Sequence, residues 1–220
     1  MNTFKLKEPG SAITHFIALV ACMLMTSPLL VKVAMVGADV FEIFSYSVFM
    51  ASAVLLYGAS TAYHTFDISA KVNALLKKLD HMMICVLIAG TYTPICLTAL
   101  AGRKGYTLLA IVWGLAILGI VFKFFWVNCP KWVSSIIYIV MGWSCVYAMP
   151  QIVDTLPLGG FLWLLAGGIL YTVGGVIYAL KLKAFDERFK NFGSHEIFHL
   201  FVMGGTACHY VFMFCYLVWF

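Results

Sequence analysis

Charged side chains are scarce in this sequence. Lys, Arg, Asp and Glu make up only 10% of its 220 residues, whereas hydrophobic residues make up 63%. Charged residues are normally found on the water-facing surface of a soluble domain, and here there are too few of them to form one. The mean hydropathy of +0.98 agrees with this shortage. The composition therefore predicts an integral membrane protein.

Two further features are lacking, a C-x-x-C pair and a cleavable signal sequence. The polar arm at residues 1–10 leads into an apolar run that is longer than a signal core and has no clear small-residue cleavage site, so we expect this run to stay in the protein. Six of the seven cysteines fall in apolar runs, where they are interpreted as small apolar side chains. The seven are Cys22, Cys85, Cys96, Cys129, Cys145, Cys208 and Cys215.

Long apolar runs dominate what the sequence does contain. A helix that spans a bilayer needs about 20 mainly apolar residues, and seven such runs fill most of the chain. They lie at about residues 12–36, 40–65, 79–100, 105–126, 131–150, 158–181 and 195–218. The connections between them are short. The sequence predicts an all-α integral membrane protein, a seven-transmembrane-helix bundle that forms a single domain over residues 1–220.

Basic residues divide unevenly between the two sides that seven crossings create. The side of the N-terminus receives Lys5, Lys7, Lys71, Lys77, Lys78, Lys123, Lys131, Lys181, Lys183, Arg188 and Lys190. The opposite side receives Lys32, Arg103 and Lys104. Because the cytoplasmic side carries the excess of Lys and Arg, we expect a cytoplasmic N-terminus and an external C-terminus in the cell membrane. The net charge of +5 is then a topology signal, and no basic-aromatic patch indicates nucleic acid as a partner.

The histidines are concentrated at one predicted membrane depth. Five of the six fall at the inner-leaflet ends of four different runs. These five are His15, His64, His81, His195 and His199. The sixth, His209, lies ten residues beyond His199, about 15 Å deeper along a helix. Polar side chains at such depth indicate a functional site, although any single histidine could be a satisfied polar residue of the bundle.

A metal site is the first interpretation of this cluster. His195 and His199 are four residues apart, which places both imidazoles on one face of a helix. Catalytic zinc commonly takes three protein ligands and keeps a fourth position open, and His64 completes that set. Asp80 is then either a fourth ligand or a carboxylate that takes the proton of the metal's water. Ser60 precedes His64 by one turn, so its hydroxyl can reach the same centre.

Several segments together resemble a known family. They are Ser60-Thr61-Ala62-Tyr63-His64, Leu79-Asp80-His81, Gly90-Thr91-Tyr92-Thr93-Pro94, Ser194-His195-Glu196-Ile197-Phe198-His199 and the first-motif segment from Glu8 to His15. In this order they are similar to the hemolysin III branch of the progestin and adipoQ receptor family. The likeness covers nearly the whole chain, and the short ends are closest to bacterial-type members.

The resemblance implies a seven-helix zinc protein with a cytoplasmic N-terminus. It implies that His64, His195 and His199 bind zinc, and that Asp80 and Ser60 stand beside the metal-bound water as catalytic residues. It further implies similarity to a superfamily of intramembrane metal-dependent hydrolases whose receptor members act on ceramide-like lipids. For bacterial-type members it points to hemolysis or membrane homeostasis.

Three functions stay open on these grounds. The first is a zinc-dependent hydrolase of lipid amide or ester bonds, whose lipid substrate enters an inner-leaflet site sideways from the membrane. The second is a zinc-stabilised lipid sensor, receptor or cytolysin without turnover. The third is an intramembrane protease, since H-E-x-x-H is also a zinc-protease signature with glutamate as general base, here Glu196. The Leu79-Asp80 pair departs from the corresponding protease motif, because His81 follows where that motif has glycine.

Overall fold

The computed structural model describes residues 6–180, 187–188 and 192–220, and the regular structure in these ranges is helical. The main helices are α1 (Pro9–Met35), α2 (Val40–Thr65), α3 (Ala70–Leu97), α4 (Arg103–Phe125), α5 (Lys131–Gly142), α6 (Met149–Thr155), α7 (Leu158–Leu180) and α8 (Ser194–Cys215). Four of the basic residues used above to orient the chain, Lys5, Lys181, Lys183 and Lys190, lie outside the described residues.

Six helical segments of the described chain are long and apolar enough to cross a membrane. They are α1, α2, α4, the segment from α5 to α6, α7, and α8 with its C-terminal turn. The remaining long helix, α3, occupies the place of the predicted third run but begins at Ala70, because the Ser69 hydroxyl accepts the Val72 N–H at 3.3 Å and caps the helix there. The helical membrane architecture is confirmed, and a seventh crossing by α3 stays a prediction.

The predicted fifth run is broken in the structure. Helix α5 ends at Gly142, a 3-10 turn covers Trp143–Ala148, and Pro150 lies in the first turn of α6, where its missing N–H costs no helical hydrogen bond. The Tyr92 hydroxyl of α3 donates to the Gly142 carbonyl at 2.5 Å and accepts the Cys145 N–H at 3.0 Å. Tyr92 thus supplies partners for backbone groups that the break releases.

Close contacts between helices build the interior. A Cβ at Gly90 of α3 would lie 2.3 Å from the Ser52 hydroxyl of α2, so this approach of the two helices requires glycine. The Thr206 hydroxyl of α8 contacts the Tyr57 hydroxyl of α2 at 2.6 Å and the Tyr171 hydroxyl of α7 at 2.8 Å. These contacts place α2, α3, α7 and α8 around a common centre. All seven cysteines are unpaired, and four of them are buried, Cys22, Cys85, Cys96 and Cys129.

The end of α2 and the beginning of α1 meet at the same end of the bundle. The last carbonyls of a helix have no partner within it, and the His64 carbonyl at the end of α2 accepts the Glu8 N–H at 2.9 Å. Lys7 adds an N–H bond to the Thr65 carbonyl and an ammonium bond of 3.2 Å to the Tyr63 carbonyl. The segment before α1 is thereby held against the last turn of α2.

Candidate metal centre

Three imidazoles meet where α2 ends and α8 begins. His64 lies in the last turn of α2, and His195 and His199 lie in the first two turns of α8. One ring nitrogen of each lies within 4.8 Å of those of the other two, and His64 Nε2 is 3.4 Å from His195 Nε2. His64 and His199 are buried, and His195 is partly buried. Three neutral imidazoles at this spacing could hold a metal ion.

The outer nitrogen of His64 is bonded to an acidic residue that precedes α1. His64 Nδ1 forms a very short contact with a carboxylate oxygen of Glu8. The hydrogen bond with His64 lowers the pKa of Glu8 below its usual value, despite partial burial of the carboxyl. Because Nδ1 is engaged, Nε2 is the nitrogen left to face the other two histidines. A carboxylate on the outer nitrogen is the usual way in which proteins orient a metal-binding histidine.

His199 is held in a similar manner by α1. Its Nδ1 lies 3.2 Å from the Thr14 hydroxyl, which again leaves Nε2 directed at the group. His195 Nδ1 is buried and makes no hydrogen bond to the described residues. Two of the three imidazoles therefore have the outer partner that favours one tautomer, and both partners come from the first turns of α1 or the residue before them.

A fourth imidazole lies against the group without belonging to it. The ring of His15 stacks on the ring of His199 with centroids 3.5 Å apart and planes within 12°. Both nitrogens of His15 are buried and have no hydrogen-bond partner among the described residues. Parallel stacking aligns the two rings face to face, so the His15 nitrogens lie beside the group and not within it.

Asp80 lies outside the three-histidine group in the structure. Within the described part of the chain, the group contains the three histidines and no carboxylate. Asp80 is 6% exposed, lies 3.5 Å from His81 Nδ1 and lines the same cavity as His195 and His199. Ser60 is buried one turn before His64, and its hydroxyl has no hydrogen-bond partner in the described ranges.

Other polar residues singled out in the sequence have structural partners elsewhere. Glu196 accepts the Ser11 hydroxyl at 2.5 Å and the Gly193 N–H at 2.8 Å, so its carboxylate caps α8 and ties it to α1. His81 Nδ1 lies 3.0 Å from the Lys77 carbonyl. His209 lies outside the group, with Nε2 3.3 Å from the Leu164 carbonyl of α7.

An elongated apolar cavity begins at the histidines. It has a volume of about 170 Å³ and is lined mainly by aliphatic and aromatic side chains of α3, α5, α7 and α8. Asp80, His195 and His199 lie at one end, and Ile95 and Ile152 lie toward the other. Asp80 and Ile95 of α3 are fifteen positions apart, which corresponds to about 22 Å at the helical rise. The cavity therefore places a cluster of polar groups beside a mainly apolar interior.

The contacts made by the residues at the start of α1 were not predicted from the sequence. Glu8, Ser11, Thr14 and His15 contact His64, Glu196 or His199 in the structure. Their signal was present, because positions 8, 11 and 15 recur at three- and four-residue intervals, as expected for one face of a helix. The partners could not be assigned, since a one-face pattern does not say which helix lies opposite.

The fold and this group define a class, a polytopic helical membrane protein whose bundle end could hold a metal ion. The chain belongs to the "Haemolysin-III related" family, whose model matches residues 4–210. It is 41% identical to "Hemolysin-3 homolog" of Bacillus subtilis, with 94% of this chain and 92% of the relative covered. It is 40% identical to "Hemolysin-3" of Bacillus cereus, with 94% and 90% covered.

A more distant relative connects the chain to receptors. The chain is 32% identical to "Progestin and adipoQ receptor-like protein 1" of Caenorhabditis elegans, over 75% of this chain and 42% of the relative. The family assignment and the resemblance to progestin and adipoQ receptors are confirmed. With several membrane-spanning helices, the chain is a multi-pass cell membrane protein.

Proposed function

We propose that this protein is a zinc-dependent hydrolase that cleaves amide or ester bonds of membrane lipids. The observation that carries the proposal is the placement of three converging imidazoles and a buried carboxylate at one end of an apolar cavity. The imidazoles and the carboxylate are the groups that metal-dependent chemistry at a carbonyl needs. The apolar cavity is the site that the acyl chain of a lipid needs.

Zinc fits the donor set of His64, His195 and His199. Nitrogen ligands suit zinc, and three of them leave the open position that a catalytic site needs. When bound, zinc supplies an activated water and polarises a carbonyl. Glu8 and Thr14 support this role, because their contacts keep Nδ1 of His64 and of His199 away from the centre.

Asp80 is the proton acceptor in this proposal. Its carboxylate lies outside the three-histidine group but lines the cavity that His195 and His199 also line, so it is close to the reacting groups without occupying a ligand position. A carboxylate there receives the proton that the attacking water gives up. The Ser60 hydroxyl, buried and without a partner in the described ranges, orients the water or the substrate oxygen.

The substrate class follows from the cavity. Its walls are mainly hydrocarbon, and its lining residues on α3 extend over about 22 Å, which favours the apolar part of a lipid over a soluble metabolite. In this proposal the acyl chain of the lipid lies along α3 and α8, so the amide or ester carbonyl of the lipid is held at the histidine end of the cavity. Binding of the chain excludes water from most of the cavity and fixes the distance between the carbonyl and the polar groups.

A non-enzymatic function is the second candidate, and the names of two relatives favour it. The Bacillus cereus relative is a hemolysin by name and the Caenorhabditis elegans relative is receptor-like by name. The same cavity then binds a lipid without cleaving it, and the metal ties α2 to α8. The protease alternative loses its general base, because both carboxylate oxygens of Glu196 are engaged by Ser11 and Gly193.

Measurement of metal and turnover on one sample tests the proposal. The wild-type protein in nanodiscs should contain one zinc ion per chain by elemental analysis and release fatty acid from a panel of ceramides and phospholipids. His64→Ala protein is the control that should show neither. Full zinc occupancy without hydrolysis of any lipid in the panel would replace the hydrolase with the lipid sensor or cytolysin.

The membrane orientation is part of the same proposal. Seven crossings, with α3 among them, place the N-terminus in the cytoplasm, the C-terminus outside and the metal centre at the inner leaflet. A reporter fused after Phe220 should read as external, and a Lys71→Cys variant should be labelled by a membrane-impermeant thiol reagent only after the cytoplasmic face is opened. The reverse labelling pattern would move the centre to the outer leaflet and leave the ligand set unchanged.

Loss of the Glu8 carboxylate should weaken zinc binding. In the Glu8→Ala variant His64 loses the partner of Nδ1, and removal of such an outer contact typically costs about 10- to 100-fold in metal affinity. Competition with a chromophoric chelator measures the change. Lys7→Met is the matched control, because Lys7 contacts Tyr63 and no imidazole of the group, and its affinity should equal that of the wild type. Equal affinities for Glu8→Ala and wild type would contradict the role given to Glu8.

A further inference from the structure

A buried lysine lies in the last turn of α4, outside the three-histidine group. Lys123 is only 1% exposed. Its position near the end of the fourth apolar run places it among the basic residues expected on the cytoplasmic side, which are normally solvated. In the described part of the chain no carboxylate lies within ion-pair distance of its amine. An ammonium in apolar surroundings without a carboxylate is costly, so the partners that Lys123 does have need an explanation.

Those partners are a thiol and a hydroxyl. Lys123 Nζ is 3.1 Å from Cys129 Sγ and donates a very short hydrogen bond to Ser134 Oγ. Cys129 Sγ and Ser134 Oγ are 3.3 Å apart. Cys129 is 8% exposed and Ser134 is 2% exposed. The three side chains form a closed triangle in which a nitrogen nucleophile is held in contact with a sulfur atom.

The location of the triangle permits oxidation of the sulfur. Cys129 belongs to the turn between α4 and α5, and its neighbours in that turn, Trp126, Asn128 and Pro130, are exposed. A small oxidant such as hydrogen peroxide can therefore approach the turn, where Cys129 keeps 8% of its surface exposed.

We propose that Lys123 and Cys129 are a redox modification site at which hydrogen peroxide produces a covalent sulfenamide bridge. In the first step the O–O bond of peroxide breaks and an S–O bond forms, so the thiol is oxidised to a sulfenic acid and peroxide is reduced to water. In the second step the Lys123 ammonium gives up one proton to water, and the lone pair of the resulting neutral Nζ attacks the sulfur. An N–S bond forms, the S–O bond breaks, and the hydroxyl leaves as water with one proton from the nitrogen.

The bridge has a structural consequence and a driving force. It joins the end of α4 to the turn that leads into α5, whose Tyr138 and Ile139 line the apolar cavity. The product is neutral at nitrogen, so its formation also removes the cost of a buried ammonium. The bridge is independent of any metal at the histidines. A thiol reductant cleaves the N–S bond and returns the amine and the thiol.

Peptide mass spectrometry of peroxide-treated protein tests the bridge. Wild-type protein in nanodiscs is treated with hydrogen peroxide, denatured, alkylated without reductant and digested with trypsin. Trypsin should fail to cleave after Lys123, and the peptide that contains Lys123 and Cys129 should be about 2 Da lighter than the unmodified sequence, because two hydrogens are lost. Reduction before alkylation should restore cleavage. A gain of about 14 Da in the same uncleaved peptide would indicate a bridge between the same two residues that has retained one oxygen atom. This result would also support the proposal.

Variants around the turn make the assignment specific. The uncleaved peptide should be lost in Cys129→Ser, and Lys123→Met should leave Cys129 to oxidise without a bridge. Lys77→Met is the matched control, because Lys77 bonds Asn128 of the same turn at 2.8 Å, and it should bridge as the wild type does. Sulfinic or sulfonic acid on Cys129 with normal cleavage after Lys123 in the wild type would overturn the proposal, as would an unmodified Cys129 when the exposed Cys215 is fully oxidised. Both of these contrary outcomes are measured on wild-type protein, so they do not depend on whether a variant folds.

Discussion

Replacement of any one of His64, His195 and His199 with alanine should abolish stoichiometric zinc binding. The loss should exceed the roughly 10- to 100-fold weakening that substitution of an outer partner produces, because a coordinating nitrogen is removed and the remaining two imidazoles cannot complete the site. Zinc bound only to the folded state contributes about 2.7 kcal/mol at a free concentration one hundred times the Kd. The Tm of each variant should therefore fall and no longer depend on added zinc.

A histidine on the same helix supplies the control for this experiment. His209→Ala should keep its zinc, since His209 packs against α7 through the Leu164 carbonyl and lies outside the group. Its Tm should fall through lost packing but should still rise on addition of zinc. Elemental analysis together with Tm at several zinc concentrations distinguishes the two effects. Full occupancy in His64→Ala would show that the α8 pair binds metal without α2.

Asp80→Asn should retain zinc and lose hydrolysis. Asparagine preserves the shape of the side chain but cannot take up the proton of the attacking water, and general acid–base assistance is typically worth about 10² to 10⁴ in rate. Because the Asp80 carboxylate is outside the three-histidine group, metal content should stay at the wild-type level. The measurement is kcat for the best ceramide or phospholipid substrate in nanodiscs, with zinc determined on the same sample.

Ser60→Ala is the graded comparison for Asp80→Asn. A hydroxyl can orient water or an oxygen but is a poor base at neutral pH, so Ser60→Ala should reduce kcat less than Asp80→Asn does. If Asp80→Asn hydrolyses lipid at the wild-type rate, Asp80 has no part in proton transfer. If neither variant nor wild type hydrolyses lipid, and lytic or cellular activity is unchanged by Asp80→Asn, the non-enzymatic function is the better account.

The zinc experiments and the lipid experiments answer different questions. Loss of zinc in the histidine variants tests the ligand set alone, and the alternative sensor function predicts the same loss. Only the comparison of metal content with turnover in Asp80→Asn separates an enzyme from a binding protein, because a structural metal needs no proton acceptor beside it. The test of the Lys123–Cys129 bridge is a peptide mass, and its outcome does not decide the zinc measurement or the turnover measurement.

Local patterns in the sequence were sufficient for the membrane class and the approximate helix positions. Transfer of apolar side chains out of water depends on their number and spacing, which are visible in the chain itself. The i, i+4 spacing of His195 and His199 likewise sets a shared helix face by backbone geometry alone. The break between α5 and α6 was only partly visible. Pro150 marked its end, but the Tyr92 hydroxyl that bonds its backbone groups comes from a different helix.

Only the tertiary structure decided which atoms meet. The Glu8–His64 and Thr14–His199 contacts join residues 56 and 185 positions apart, and no local pattern specifies a contact at that separation. The same holds for Lys123, whose position at the end of an apolar run predicted a solvated cytoplasmic charge, whereas the following turn folds back to bury it against Cys129 and Ser134. The sequence by itself determined that this protein lies in a membrane, because hydrophobicity is a property of each side chain. The tertiary fold decided its candidate chemistry, because coordination and proton transfer depend on distances between side chains from different helices.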